Sequence, residues 1–269
     1  MLRFPAVAGR FYPANPQELA ALVRRLTNPP NAQQKPHVKA CLVPHAGYIY
    51  SGQVAGAVFA KIHIPRNVVI LGVRHFPRGA DAAIRSEGAW RTPLGDVQVN
   101  RMLAAELKRA CPRLVEDTSA HEQEHSLEVQ LPFLQLLQPD VQIVPIALGT
   151  LRLEDLESVG AGISRVVTAA SEEILVVTST DLNHYEDEKT TQKKDALAIA
   201  QLEAMNAGKL YDVCRTESIS MCGLGPAVAL LVALKKMQAT RAEVVQHATS
   251  AAISGDYSRV VGYAGMIFD

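Results

Sequence analysis

The sequence has no excess of either charge: 27 lysines and arginines stand against 27 aspartates and glutamates in 269 residues. A chain without net charge has no long-range electrostatic pull toward nucleic acid or an anionic membrane, so neither is expected as a partner. A long uninterrupted apolar run is also missing. The opening MLRFPAVAGRFYPANP places arginine, proline and glycine where a signal peptide carries its apolar core, and no later stretch approaches a membrane span. A soluble, cytoplasmic protein is expected. Cysteine is sparse and scattered. Cys41, Cys111, Cys214 and Cys222 include no C-x-x-C pair, which argues against a zinc knuckle or a disulfide framework. Internal repeats and low-complexity tracts are absent, and the Pro-rich stretch NPPNAQQKP (28–36) follows the first helical pattern too closely to separate two domains. It reads as a surface loop, and residues 1–269 as one domain.

What the chain does contain is alternation. Apolar, β-branched runs recur at 39–43, 67–72, 141–148, 174–180, 243–248 and 259–268, with helical patterns at 16–26, 52–61, 100–110, 126–137, 153–170, 190–206 and 225–237. Such alternation predicts an α/β fold, a central mostly parallel or mixed sheet flanked by helices. The segment 78–99, with Pro, Gly and shorter pieces such as AAIR and DVQV, reads as a β-rich excursion from that sheet. Trp90, Arg91 and Asp96 are expected to pack and pin it.

Three of the runs empty into a histidine: CLV before His45, NVVILG before His75, and ILVVTSTD before His184. In one parallel sheet the carboxyl ends of the strands share a rim, where open α/β sheets bind ligands. Imidazole is the commonest protein metal ligand and the natural acid/base group near neutral pH, so this convergence proposes a metal or proton-transfer centre. Asp181 shares the loop of His184 and is expected to orient that ring or a bound water, or else to cap the following turn. Cys222 lies in SMCGLGP, where glycines and a proline mark a tight turn ahead of an apolar helix. A thiol at a helix N-terminus tends toward thiolate, the form that binds metal, whereas the other three cysteines read as small buried hydrophobes. Two histidines plus a carboxylate or thiolate is the ligand set of open iron sites, and zinc or copper would accept it too.

A rival pattern is His121-Glu122-Gln123-Glu124-His125, which formally matches the helical zinc-protease motif H-E-x-x-H. That motif must lie inside a helix, but the amphipathic pattern starts near Ser126, and Pro132 would kink a helix running through it. A zinc metalloprotease is therefore a minor alternative, with His121 expected at the surface and His125 beside the pocket. His37, His63 and His247 read as a loop residue, a connection residue and a late-strand residue outside the site.

Taken together, AVAGRFYP (6–13), PHAGYIYSG (44–52), RTPLGDV (91–97), EHSLEVQLPFL (124–134), STDLNHY (179–185) and MCGLGP (221–226) resemble the Memo family, also called AmmeMemoRadiSam system protein B. The resemblance implies a fold similar to the class III extradiol dioxygenases. It implies His45, His75 and Cys222 as metal ligands, the cysteine standing where those dioxygenases keep a glutamate. Asp181 and His184 match polar pocket residues, His184 at the place of a catalytic histidine. Iron is the implied cofactor, with copper or zinc as alternatives. A small-molecule or peptide-like substrate and a link to a radical S-adenosylmethionine enzyme are the implied partners. This chain departs from the pattern at GVRHF, where Phe76 replaces a second histidine. The implied function is a metal-dependent redox or oxygen-chemistry enzyme, the alternative a non-catalytic metal- or peptide-binding protein.

Overall fold

A twelve-stranded mixed sheet organises the chain, in a computed structural model that describes residues 1–27 and 35–269. The NPPNAQQ part of the expected loop (28–34) lies outside the described residues. The amino-terminal half contains β1 (Leu2–Arg3), α1 (Pro16–Leu26), β2 (Ala40–Val43), α2 (Tyr48–Lys61) and β3 (Asn67–Val73), then β4 (Ala82–Ile84), β5 (Ala89–Thr92) and β6 (Gly95–Val99). It continues through α3 (Arg101–Ala110), β7 (Val115–Glu116) and α4 (Leu131–Leu137). The remainder comprises β8 (Gln142–Leu148), α5 (Leu153–Ala169), β9 (Ile174–Ser179), β10 (His184–Glu186), α6 (Glu188–Glu203), α7 (Ala207–Thr216) and α8 (Leu224–Lys236). Last come β11 (Ala242–Thr249), α9 (Ala251–Ser254) and β12 (Val260–Phe268).

The main strand order is β1-β5-β6-β8-β3-β9-β2-β12-β10. Its centre, β8-β3-β9-β2, is parallel throughout. Helices cover both faces, so these strands are buried on both sides and read in sequence as continuous apolar runs. Alternate residues feed two cores. Ala40, Leu42, Val69, Leu71, Val144 and Ile146 face α3, α5, α7 and α8, whereas Cys41, Val43, Val68, Ile70, Ile143 and Val177 face α1, α2 and α4. Cys41, Cys111 and Cys214 are buried among these residues as expected.

Local chemistry sets the helix starts. The Asn15 side chain caps α1 by accepting from the N–H groups of Gln17 and Glu18, with Pro16 in the first turn where its missing N–H is harmless. Asn100, Asp187 and Asn206 cap α3, α6 and α7 in the same way. Three expectations need correction. The 78–99 segment is no excursion: β6 and β4 both pair with β8 and so extend the main sheet. Within it Trp90 is fully buried and Arg91 clasps Asp96 across the β5–β6 hairpin. Helix α2 begins at Tyr48 rather than Gly52, because Gly52 packs inside the helix against Leu26 of α1. The helix expected from 126 starts only at Leu131 after a 3-10 turn (Glu128–Gln130), with Pro132 in its first turn. No helix among the described residues is long and apolar enough to cross a membrane.

Candidate metal centre

Because β3, β9 and β2 are adjacent and parallel, their carboxyl ends deliver His75, Asp181 and His45 to one rim, each two residues beyond its strand. Cys222 arrives from the turn ahead of α8. That turn lies hard against β9: the Gly223 N–H donates to Thr180 Oγ1 at 2.9 Å, and a Cβ at position 223 would collide with the Thr180 side chain. Only glycine allows this approach. One donor atom from each of His45, His75 and Cys222 lies within 4.8 Å of the others. His45 Nε2 is 3.2 Å from Cys222 Sγ.

Hydrogen bonds fix which nitrogen of each ring faces the cluster. His45 is buried, and its Nδ1 is 3.0 Å from Ser179 Oγ. The Ser179 hydroxyl hydrogen is already given to the Ser126 carbonyl at 2.7 Å, so Oγ accepts here, from His45 Nδ1–H and from Gln130 Nε2 at 2.9 Å. The lone pair of His45 is therefore on Nε2, toward the cysteine. His75 is treated alike by Glu124, whose carboxylate accepts from His75 Nδ1–H at 2.9 Å and from the His75 N–H at 2.7 Å. Carboxylate and hydroxyl partners of this type set the tautomer and orientation of metal-ligating histidines.

The electrostatics favour the neutral form of His45 and His125. Burial, then the nearby His75, pushes the His45 pKa down to about 3. His125, stacked on His75 with centroids 4.6 Å apart and edge-on to His45, is pushed to about 4 by burial and then by His45. Burial raises the Glu124 carboxyl, but hydrogen bonds from His75 and the Ser126 N–H, with the charge of His75, outweigh it and bring the pKa down to about 2. Burial, then the charge of Asp181, pushes the Cys222 thiol up. Without a cation that sulfur keeps its proton, and the Asp181 N–H points at it at 3.3 Å.

Asp181 sits inside the cluster, but its Oδ1 accepts the His45 N–H at 2.8 Å, and no hydrogen bond joins it to His184 among the described residues. Burial raises its pKa against that hydrogen bond. His184 opens β10, its N–H bound to Ser220 Oγ at 2.7 Å, and its buried Nδ1 has no partner among the described residues. Both Asp181 and His45 feel its charge. The next residue, Tyr185, holds a left-handed backbone with φ of 62°. An aromatic residue rarely adopts this conformation, so the chain is strained beside the site.

HEQEH forms no helix, and its histidines diverge. His125 joins the rim, whereas His121, expected at the surface, is fully buried beside Trp90 with neither ring nitrogen partnered among the described residues. Its acidic neighbours split between environments: Glu122 is in solvent and Glu124 is in the core. Glu124 is the site residue that the sequence reading missed. Only its place directly before the rim histidine His125 marked it.

Comparisons agree with this architecture. A family model described as Memo-like protein matches residues 3–267. A MEMO1 family protein of Methanopyrus kandleri is 40% identical over 280 residues, covering 100% of this chain and 99% of that protein. One from Aquifex aeolicus is 40% identical over 269 residues, covering 99% of each. Among solved structures, an uncharacterised protein of Escherichia coli K12 is similar with a TM-score of 0.53 at 13% identity, covering 84% of this chain and 99% of that one. At that identity the likeness concerns the fold alone.

Proposed function

The chain belongs to the Memo family, and we propose from that premise and from the rim geometry that it is a metal-dependent redox or oxygen-chemistry enzyme using iron or copper; zinc would suit the same donors but brings no redox capacity. One observation carries the reading. His45 Nε2 and Cys222 Sγ face each other at 3.2 Å with His75 in reach, while the Nδ1 atoms of both histidines are already engaged. Two imidazoles and one thiol that a cation can deprotonate make a donor set that fits these metals. His45, His75 and Cys222 would hold the ion, which when bound supplies Lewis acidity, redox capacity and an open position for substrate or oxygen.

The remaining residues prepare that place. Glu124 and Ser179 hold the two rings in register, and Asp181 fixes the His45 backbone. His184, with an unpartnered buried Nδ1 near Asp181, is the group available to take or give a proton. Ile49, Tyr50, Phe76 and Tyr185 are exposed apolar side chains close in sequence to His45, His75 and His184. They favour a substrate with an apolar part, and Phe76 supplies no polar group where the family pattern has a second histidine.

Metal analysis of protein purified without chelator should find about one equivalent per chain at this site, and Cys222→Ser should lose it. A neutral hydroxyl replaces a soft anion, so affinity is expected to fall by more than the roughly 10–100-fold typical of a supporting partner. Uptake by the parent should release a proton and weaken as pH falls, because the thiol must ionise to bind. Parent-like affinity in Cys222→Ser would refute the ligand assignment. His184→Ala is expected to keep the metal while lowering oxygen consumption by the iron-loaded protein about 10²–10⁴-fold. Loss of metal in that variant makes His184 a ligand instead.

A further inference from the structure

The three strands that carry the rim residues also carry donors at their other ends. His63 lies four residues before β3, Glu173 one before β9, and His37 three before β2. These are the same adjacent strands β3-β9-β2, so the donors converge at the amino edge of the sheet, roughly 20 Å from the rim at ~3.3 Å per strand residue.

We infer that His37, His63 and Glu173 form a second divalent-cation site, of the zinc class, separate from the rim. His37 Nδ1 is 2.7 Å and His63 Nε2 is 3.8 Å from the same oxygen, Glu173 Oε2. The two imidazole centroids are 4.4 Å apart, and one donor atom from each of the three residues falls within 4.8 Å of the others. Donors bound tetrahedrally at about 2.0–2.1 Å stand about 3.3 Å from one another, so small side-chain rotations bring this set to coordination distance.

The scaffold beneath the donors is fixed. The His63 N–H donates to the Pro36 carbonyl at 2.9 Å, which ties the two histidine segments together. Asn67 Nδ2 donates to Glu172 Oε2 at 2.7 Å, which holds the turn that presents Glu173. A surface ion pair would need one histidine and one carboxylate. Here His37 is hydrogen-bonded to the carboxylate oxygen while His63 turns a second ring nitrogen toward the same atom, an arrangement in which a metal engages every donor at once. The side chains remain 64%, 42% and 34% exposed, so an ion enters without opening the fold and keeps water at its remaining position. Imidazole and carboxylate without sulfur suit zinc, nickel or cobalt over the softer preference of a thiolate site. A bound ion would link the approaches to three central strands.

Cobalt(II) titration of the full chain separates the two sites, because a thiolate ligand gives a sulfur-to-cobalt charge-transfer band that a histidine–carboxylate site does not. The parent should bind two equivalents. Cys222→Ser should keep one, without the sulfur band, and adding His37→Ala to it should lower that remaining affinity about 100-fold or abolish it, with Glu173→Gln at least tenfold weaker. A single parent equivalent that lacks the sulfur band and disappears in His37→Ala supports this site while removing the rim assignment. One equivalent that disappears in Cys222→Ser overturns it. So does a second equivalent that survives both His37→Ala and Glu173→Gln, or one taken up only at millimolar cobalt.

Discussion

Acidifying the metal-free protein from pH 7 to pH 5 should destabilise it by about 6 kcal/mol, comparable to the whole stability of many domains. The cause is three imidazoles that the fold keeps neutral. His45 and His121 are pushed to about 3 and His125 to about 4, by burial first, then by His75 for His45, by Arg3 and Arg85 for His121, and by His45 for His125. Below the ordinary histidine value near 6.5 the unfolded chain binds protons that the folded one refuses, so stability falls as pH falls. Each histidine contributes ~1.4 kcal/mol per pH unit, and three acting over the ~1.5 units below 6.5 give the sum. Glu124 acts lower on the scale. Its depressed carboxyl contributes stability that is fully present above its unfolded value of 4.5 and is lost as pH approaches about 2. Urea midpoints measured after chelation at pH 7, 6 and 5 test the expectation, and an unchanged midpoint refutes it. His121→Leu should reduce the slope by about a third, since that ring stands apart from the rim donors.

Glu128→Gln should cost about 3–5 kcal/mol, the penalty for leaving a buried charge unpaired. Glu128 is fully buried, and one carboxylate serves four donors. Arg3 and the Ala6 N–H reach Oε2 at 2.6 and 2.8 Å, and Tyr12 Oη and the Val7 N–H reach Oε1 at 2.6 and 3.0 Å. The amide keeps one acceptor oxygen and turns a donor toward Arg3, whose guanidinium also holds the His121 and Glu124 carbonyls and lies 4.1 Å over Trp90. Removing both charges in Arg3→Met with Glu128→Gln should recover part of the loss, because the unpaired charge and not the missing attraction dominates. Metal affinity should fall with stability in Glu128→Gln, since Arg3 anchors the segment bearing Glu124. A stability loss below about 1 kcal/mol shows instead that water reaches the guanidinium.

Much of this was legible because the central strands are buried on both faces. NVVILGV and ILVVTS can do little else in water, and the histidines after such runs had to fall at strand ends. Helices with a clear apolar periodicity, such as α1 and α3, were legible, whereas α7 (Ala207–Thr216), capped by Asn206, was not, because the helical pattern at 190–206 ran straight into it. What depended on contacts between distant segments was not. Glu124 belongs to the site through a hydrogen bond to a ring 49 residues away. His121 was expected at the surface, yet a turn buries it while leaving Glu122 in solvent. The short strands of 78–99 have too little periodicity to reveal that they pair with β8. The Memo resemblance named His45, His75 and Cys222 together, but nothing local in the sequence set their distance or tautomers. His37 and His63 were each bland alone, and only the strand order brings Glu173 between them.

That strand order also governs when the protein can fold during synthesis. β2 finds its parallel neighbour β9 only after more than a hundred further residues have been made, and its other edge waits for β12. Closing such long loops must precede the contacts that reward it, which slows folding. His45 and Cys222 are 177 residues apart along the chain. A nascent chain on the ribosome therefore carries exposed, unpaired apolar strands for most of its translation, and sheltering them until β12 emerges is work for chaperones.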